Sequence, residues 1–509
     1  MTRAETSSRL LLRNALLGFI GLALPLLTGA ITIPFVIRGL GTERFGLLSL
    51  VWVVLGYFTS LDVGLGRAVT KYVAEALGSG NKDKVARLVW SGIALQGSLG
   101  LLGTFVLVLV IPVLVARISS ISPALLEEAR LTLYALAPAV PIIWISSSFT
   151  GVLEAAQRFD LANAVKVAFE PLTFLLPLVG VVWGLGLPGI AALLLLTKII
   201  ALLANVRFCL EVFPQLAEFS LDQRSVRSLL SFGGWITVSS LLGPTIKYAE
   251  RLLLVSFLSA TALTFYTVPY EMVSRVVVFP ASIALALFPS FSYQSADTHK
   301  ELKDMFVRPL KYLLFLMTTI MVISVALSEQ ILATWLGAEF AQSSAAVFRI
   351  LALSFFVNSL AYVPFAAIHG LGRPDLKAKL DLIEMPLLLV LCWWLIPRLG
   401  LVGAGVAKLS VTILDTVCLF WMGMRVSGLR VSDLLSAGVG KALGVSSVFA
   451  LVTLAFMLGL RAESPHSPLP TWLVLTFLVC AYALAFLKVG IDDKDRAAFR
   501  GVQELVLRK

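Results

Sequence analysis

Apolar segments about as long as a bilayer is thick recur along the whole sequence, and they exclude an ordinary soluble fold. Only 14% of the 509 residues are charged, whereas soluble domains carry about 25%. A helix needs about 20 apolar residues to cross the hydrocarbon core. We therefore predict an all-α integral membrane protein with about 14 transmembrane helices. The predicted spans are 14–37, 46–66, 88–116, 130–153, 161–183, 187–208, 229–257, 262–291, 310–334, 343–369, 376–397, 401–424, 436–460 and 470–488.

Lysine and arginine are distributed unequally between the two sides of this arrangement. With the N-terminus inside, 28 of the 41 basic residues fall in inner segments and 6 in outer ones. Cytoplasmic loops of membrane proteins carry such an excess. The net charge of +11 therefore reports orientation and does not indicate nucleic acid. We predict a multi-pass protein of the cell membrane with both termini in the cytoplasm.

The sequence contains an internal repeat. Arg158–Asp160 (RFD) matches Arg373–Asp375 (RPD) at an offset of 215 residues, and Gly186–Gly189 (GLPG) matches Gly400–Gly403 (GLVG) at 214. An even-numbered unit repeats in the same orientation, so we predict two parallel six-helix repeats plus two C-terminal helices, a pattern known in transporters. The predicted domains are a first six-helix bundle at 1–210, a cytoplasmic linker at 211–228, a second six-helix bundle at 229–425, two extra helices at 436–488 and a cytoplasmic tail at 489–509.

Five charged residues fall at membrane depth where the second repeat begins. Lys247, Glu250 and Arg251 lie in the predicted span 229–257, and Glu271 and Arg275 in the next span. A charge at the bilayer centre costs about 2.5–3.5 kcal/mol, so such residues face a bundle interior or a water-filled cavity. One interpretation is two ion pairs that serve packing. The other is a basic lining for an anionic, phosphate-bearing substrate, partly compensated by the two glutamates.

A second set of intramembrane charges is a candidate for gating or ion coupling. Asp62 could belong to an inner gate, or it could cap a helix and pair with Arg67. Buried carboxylates can bind protons or sodium, but nearby lysines could equally neutralise them. The candidate gating or coupling residues are Asp62, Lys166, Glu170, Asp381, Glu384 and Asp415, and the lysines that could pair with them are Lys166, Lys377, Lys379 and Lys408.

Motifs for enzyme chemistry are absent from the sequence. The four cysteines and three histidines have no metal-ligand spacing, and no phosphate-loop lysine signature occurs. The predicted inner loops are too short to hold a nucleotide-binding fold. We therefore expect no catalytic residues, no metal and no cofactor.

Four features together resemble a known family. They are Leu61–Gly66 (LDVGLG) followed by Thr70–Tyr72 (TKY), Gly41–Gly46 (GTERFG), the Gly-Leu-x-Gly turn before spans 6 and 12, and the twelve-plus-two helix plan. The sequence resembles, over essentially its whole length, the polysaccharide-transport flippases of the multidrug/oligosaccharidyl-lipid/polysaccharide exporter superfamily, which include O-antigen flippases.

The resemblance implies a function and partners. Members of this family move undecaprenyl-pyrophosphate-linked oligosaccharides across the bacterial inner membrane for surface polysaccharide and lipopolysaccharide synthesis. The resemblance assigns Lys247, Arg251 and Arg275 to binding of the pyrophosphate. It also implies a polysaccharide polymerase and chain-length proteins as partners. The intramembrane carboxylates are candidate sites for coupling to H⁺ or Na⁺.

Three alternatives stay open at this point. An ion-coupled multidrug exporter or a lipid II flippase would belong to the same superfamily. A membrane polysaccharide polymerase or ligase would belong to a different class, but such enzymes usually have a large outer loop, and none is predicted here. The basic residues in the membrane argue against an exporter of cationic drugs.

Overall fold

The computed structural model is almost entirely α-helical. It describes residues 3–61, 65–116, 118, 123–293, 299–463 and 468–490, and no β-strand occurs within these ranges. The predicted all-α fold is therefore confirmed. The chain forms two compact units, Met1–Thr264 and Phe265–Lys509, which are called unit 1 and unit 2 below.

Within its described residues, unit 1 contains nine α-helices and the start of a tenth. They are α1 (Arg3–Ser60), α2 (Leu65–Gly78), α3 (Lys82–Ala116), α4 (Pro123–Leu136), α5 (Ala139–Ala155), α6 (Phe159–Phe169), α7 (Leu172–Val182), α8 (Leu187–Val212), α9 (Gln223–Phe257) and α10 (Ala260–Ser274), the last of which crosses the boundary between the units. Helix α9 begins after Asp222, whose carboxylate accepts hydrogen bonds from the backbone N–H groups of Arg224 and Ser225. The hydroxyl of Ser225 also donates to this carboxylate and holds the pKa of Asp222 below its ordinary value.

Unit 2 contains the remaining helices of the described chain. They are α11 (Val278–Tyr293), α12 (His299–Ala326), α13 (Ser328–Leu336), α14 (Ala338–Gly370), α15 (Asp375–Val426), α16 (Val431–Ser436), α17 (Val439–Glu463) and α18 (Pro468–Ala485). A 3₁₀ turn at Arg275–Val277 separates α10 from α11. A π-helical turn at Phe486–Gly490 follows α18.

Within the described residues, eleven helical segments are long and apolar enough to cross a membrane. Two of them each hold two predicted spans, because α1 changes direction at Gly41 (φ 77°) and α15 at Gly400 (φ 57°). Glycine adopts positive φ without the steric cost that a Cβ brings. The predicted span 229–257 lies on α9. Asp62, most of the predicted tail and part of the loop before α18 lie outside the described residues.

The two copies of the repeated Arg-x-Asp motif form the same local structure. In unit 1, the guanidinium of Arg158 donates to both carboxylate oxygens of Asp160 at 3.0 and 3.1 Å. In unit 2, Arg373 donates to both oxygens of Asp375 at 3.0 and 3.3 Å. Each pair stands at the start of a membrane-spanning helix. The Asp160 and Asp375 carboxylates raise the pKa of Arg158 and Arg373, respectively, above the ordinary arginine value.

Helix α9 packs against α1, α2 and α3 in unit 1. The hydroxyl of Thr264 donates to the backbone carbonyl of Thr42 at 2.7 Å, and α1 approaches the start of α10 closely at Gly46. In the repeat, α9 would begin the second bundle, whereas its contacts belong to unit 1. The division into bundles at 1–210 and 229–425 therefore stays a prediction from the repeat.

The two helices that have no counterpart in the repeat pack on unit 2. Helix α17 contacts both α12 and α18. The ring of Tyr482 stacks on Phe449 with centroids 4.3 Å apart and on Phe315 at 5.4 Å. Its hydroxyl forms a 2.8 Å hydrogen bond with Ser446. Aromatic stacking together with a satisfied hydroxyl anchors α17 and α18 to α12.

Candidate functional site

Three charged residues on α9, called the α9 cluster below, lie beside one tyrosine. Glu250 is fully buried, Arg251 is 2% exposed, and Lys247 is exposed. Both cations approach the Tyr248 ring, with Lys247 Nζ 5.1 Å and Arg251 Cζ 5.6 Å from its centroid. A cation over an aromatic face is attracted by the ring quadrupole. The sequence pattern alone does not single out Tyr248.

A glycine on α1 leaves the space that this tyrosine occupies. A Cβ built at Gly56 would lie 2.3 Å from the Tyr248 hydroxyl oxygen and 2.8 Å from its Cζ. No larger residue fits at position 56 without displacing the ring. About one turn earlier on α9, Thr245 Oγ1 lies 3.4 Å from the hydroxyl of Tyr57. The position of the α9 cluster thus depends on a close contact between α1 and α9.

The charges predicted on the following span form an ion pair in unit 2. Arg275 Nη2 donates to Glu271 Oε2 at 2.9 Å, and the two side chains are 37% and 25% exposed. The α-helix ends at Ser274, and Arg275 opens the 3₁₀ turn. A 3₁₀ stretch inside a long helix often marks a functional hinge. The predicted i,i+4 pair is present, and it stands at an interruption of the helix.

An apolar groove of about 680 Å³ runs along unit 1 beside the α9 cluster. Its walls come from α1, α3 and α5, and α9 contributes Leu252, the residue after Arg251. Several groove residues of α3, such as Leu102 and Val106, are at least half exposed. The α3 residues of the groove extend from Leu99 to Leu114, which is about 22 Å of helix. The other lining residues are Val53, Val54, Tyr57, Phe58, Leu61, Gly103, Leu107, Val110 and Trp144.

A polar cavity of about 390 Å³, called the hydroxyl cavity below, lies among α2, α5, α6 and α8 of unit 1. Two predicted residues, Lys166 and Glu170, line it. Lys166 Nζ lies 3.5 Å from Glu154 Oε1, so its partner is a residue outside the sequence-predicted set. The other polar lining residues are Thr59, Arg67, Thr70, Ser146, Ser147, Thr150, Lys198 and Asn205.

Unit 2 holds a compact ionic cluster on α15, called the Lys377 cluster below. Lys377 Nζ lies 2.6 Å from Asp415 Oδ1, 2.9 Å from Asp381 Oδ1 and 3.2 Å from Glu384 Oε2. The three predicted carboxylates thus converge on one ammonium. Lys379 points elsewhere and pairs with Asp375 at 3.1 Å. Pairing with a nearby lysine was one of the two interpretations of these carboxylates, and in the structure Lys377 forms an ion pair with each of the three.

The Lys377 cluster borders a smaller cavity of about 210 Å³. Its lining includes Lys377 and Asp415 together with Asn358, Tyr362 and Phe365 of α14. This cavity lies among predicted spans 10, 11 and 12, whereas the hydroxyl cavity lies chiefly among spans 4, 5 and 6. Equivalent places in the two repeats therefore have different chemistry. The larger cavity is lined by five hydroxyl groups beside mixed charges, and the smaller one is lined by Lys377 and Asp415 of the ionic cluster.

A run of hydroxyl residues was the one sequence signal that could have indicated the hydroxyl cavity. Ser146, Ser147, Ser148 and Thr150 interrupt the apolar span 130–153. Serine and threonine in a membrane helix often bond within their own helix, so the run alone does not predict a cavity. Among the described residues, no group of three or more His, Cys, Asp and Glu side chains is arranged to hold a metal ion.

Long apolar helices in two units, with charged residues lining cavities at membrane depth, define a multi-pass membrane transporter. Residues 11–294 match the family described as polysaccharide biosynthesis protein. The chain belongs to this family.

Individual relatives agree with this assignment. A protein of Shigella flexneri described as an O-antigen transporter is 25% identical over 415 residues, which cover 82% of this chain and 98% of that protein. A solved structure of the lipid II flippase MurJ in an inward closed conformation matches with a TM-score of 0.73 at 13% identity. The match covers 94% of this chain and 99% of the MurJ chain. An inward-facing multidrug resistance transporter of the MATE family matches with a TM-score of 0.68 at 15% identity. This match covers 81% of this chain and 98% of the transporter chain. At these identities, the two structures establish a shared fold.

Proposed function

We propose that this protein is a flippase that moves an undecaprenyl-pyrophosphate-linked oligosaccharide across the bacterial inner membrane by alternating access. The observation that carries the proposal is the α9 cluster, because Arg251 is 2% exposed on the helix that holds the predicted span 229–257. The proposed substrate-binding residues are Lys247, Glu250, Arg251, Glu271 and Arg275. The similarity to a protein described as an O-antigen transporter supports a lipid-linked saccharide as the substrate.

The pyrophosphate explains why cations would be needed at membrane depth. A phosphate group cannot enter hydrocarbon without replacement of its hydration. Arginine can hold phosphate oxygens with two parallel hydrogen bonds, and lysine supplies a compact point charge. Glu250 lowers the net charge of the α9 cluster while the site is empty. The apolar groove beside Leu252 would let the isoprenoid portion stay in a hydrocarbon environment while the headgroup moves.

The alternatives have less support. An exporter of cationic drugs would place carboxylates rather than Lys247 and Arg251 at the substrate. A lipid II flippase also moves a pyrophosphate-linked lipid, so substrate tests must include both lipids. We propose a transport role without catalysis, with the Lys377 cluster as the candidate for coupling to H⁺ or Na⁺.

Replacing Arg251 with alanine is expected to lower transport at least about tenfold, because a hydrogen bond to a charged group is worth about 1.5–3 kcal/mol. Arg251→Lys should retain part of the activity, since the charge stays but the bidentate geometry is lost. The measurement is surface polysaccharide in a host that lacks its own flippase, normalised to the amount of protein in the membrane.

Two further variants separate a transport role of Arg251 from a structural one. Arg207→Ala removes an arginine that is 76% exposed and that pairs, within the described residues, with Glu211 on its own helix, so this variant should transport normally. The double variant Glu250→Gln/Arg251→Ala removes both buried charges and should restore protein abundance without restoring transport. Normal transport by this double variant would contradict the proposal.

The proposed orientation can be tested separately. A reporter fused after residue 509 and another inserted at Gly184, between α7 and α8, should report opposite sides of the membrane. The C-terminal fusion should be fluorescent as a cytoplasmic GFP, and the Gly184 insertion should be active as a periplasmic alkaline phosphatase. Activity of both reporters on one side would contradict the predicted topology.

A further inference from the structure

The hydroxyl cavity of unit 1 has a composition that the phosphate does not explain. Five of its lining residues carry hydroxyl groups and one carries an amide, beside three cations and two carboxylates. Carboxylates such as Glu154 and Glu170 repel a phosphate, but they accept hydrogen bonds from a hydroxyl group. The volume of about 390 Å³ falls within the range of about 300–1,000 Å³ that is common for small-molecule sites.

One buried side chain in this cavity has spare hydrogen-bonding capacity. Asn205 is 2% exposed, and its Nδ2 donates to Ser146 Oγ at 2.9 Å. Its Oδ1 has no hydrogen-bond partner within the described part of the chain. Buried polar atoms are nearly always paired, so an unpaired one calls for an explanation. A hydroxyl group of a ligand would supply the missing donor.

The neighbouring helices form the cavity wall with little space to spare. A Cβ built at Gly151 on α5 would lie 2.3 Å from Thr70 Oγ1 on α2. Thr70 donates to the Gly66 carbonyl, and Thr150 donates to the Ser146 carbonyl. Because these hydroxyls donate to their own helices, their oxygen lone pairs remain able to accept from a ligand.

The cavity also extends along the membrane normal. Lys198 lies near the middle of α8, whereas Lys166 and Glu154 lie near the loop that joins α5 to α6. In the proposed orientation, that loop is cytoplasmic. The cavity therefore reaches from the proposed loading side toward the middle of the bilayer.

We infer that the hydroxyl cavity binds the saccharide of the lipid-linked substrate, with Asn205 and Ser146 as its central hydrogen-bonding residues. The inference rests on the proposed function, and it separates two tasks within the protein. The α9 cluster holds the pyrophosphate, while the hydroxyl cavity receives sugar hydroxyls, each of which can both donate and accept. Lys198 and Arg67 suit an acidic group on the saccharide.

The test measures binding of two soluble probes to the purified full-length protein by isothermal titration. The probes are the oligosaccharide released from the lipid-linked precursor by mild acid hydrolysis, and inorganic pyrophosphate. Asn205→Leu should weaken oligosaccharide binding about five- to tenfold and leave pyrophosphate binding unchanged. Arg251→Ala should show the opposite pattern. Ser146→Ala, which removes one hydroxyl with little change of volume, should weaken oligosaccharide binding in the same direction.

Asn358→Leu is the matched control, because Asn358 lines the cavity of unit 2. It should change neither affinity. The inference is overturned if the wild-type protein does not bind the oligosaccharide, or if Asn205→Leu and Ser146→Ala bind it as tightly as the wild type. A loss of pyrophosphate binding in Asn205→Leu would instead mark the cavity as a phosphate site. If Arg251→Ala abolishes transport while Asn205→Leu keeps full oligosaccharide affinity, only this inference fails and the proposed function stands.

Discussion

Replacing Lys377 with methionine is expected to destabilise the protein by about 3–5 kcal/mol, the usual cost of removing one partner from a buried ionic group. Lys377 Nζ lies within 3.2 Å of oxygens from three carboxylates. Without the ammonium, these carboxylates repel one another in a membrane-spanning helix. The measurements are the thermal midpoint of the purified protein and its abundance in the membrane.

A matched substitution lies two residues along the same helix. The Lys379 side chain is 70% exposed and pairs with Asp375, and an exposed pair of this kind is worth about 0–1 kcal/mol. Lys379→Met should therefore leave the thermal midpoint almost unchanged. Adding Asp415→Asn to Lys377→Met should recover part of the lost stability, since one repelling charge is removed. Equal midpoints for Lys377→Met and Lys379→Met would show that the Lys377 cluster does not hold unit 2 together.

Replacing Gly46 with alanine is expected to cost about 1–3 kcal/mol, the range for overpacking a tight site, and the upper end applies here. A Cβ at Gly46 would lie 1.9 Å from the carbonyl oxygen of Ala260 and 2.4 Å from its carbon. The obstacle is backbone, so no side chain can rotate away, and α1 must separate from the start of α10. A fall in the thermal midpoint of the purified protein measures the effect.

Gly243 on α9 provides the control for this prediction. A Cβ built there meets no atom within 4 Å, so Gly243→Ala should be neutral or slightly stabilising, because alanine has the higher helix propensity. If Gly46→Ala matches Gly243→Ala, the contact between α1 and α10 is looser than the structure indicates. The same contact contains the Gly41–Gly46 motif that pointed to the family, which gives Gly46 a structural role.

The sequence alone determined the membrane-spanning all-α fold, and it predicted the approximate positions of the spans and the internal repeat. These follow from local patterns, because bilayer thickness sets the length of every apolar segment. The Arg158/Asp160 and Arg373/Asp375 pairs are also local, because the two members of each pair are only two residues apart in the sequence. The i,i+4 pair of Glu271 and Arg275 also follows from helix geometry alone.

Only the tertiary structure decided which charged and polar residues meet across helices. Lys377 and Asp415 are 38 residues apart, Ser146 and Asn205 are 59 apart, and Tyr57 and Thr245 are 188 apart. Helical periodicity limits which face of a helix a residue occupies, but it does not say which helix lies opposite. For this reason the sequence could not identify Glu154 as the partner of Lys166. Tyr248 and Asn205 were likewise recognised as site residues only from the packing of the helices. The chemistry of a transporter is built at contacts between helices, where local sequence patterns carry the least information.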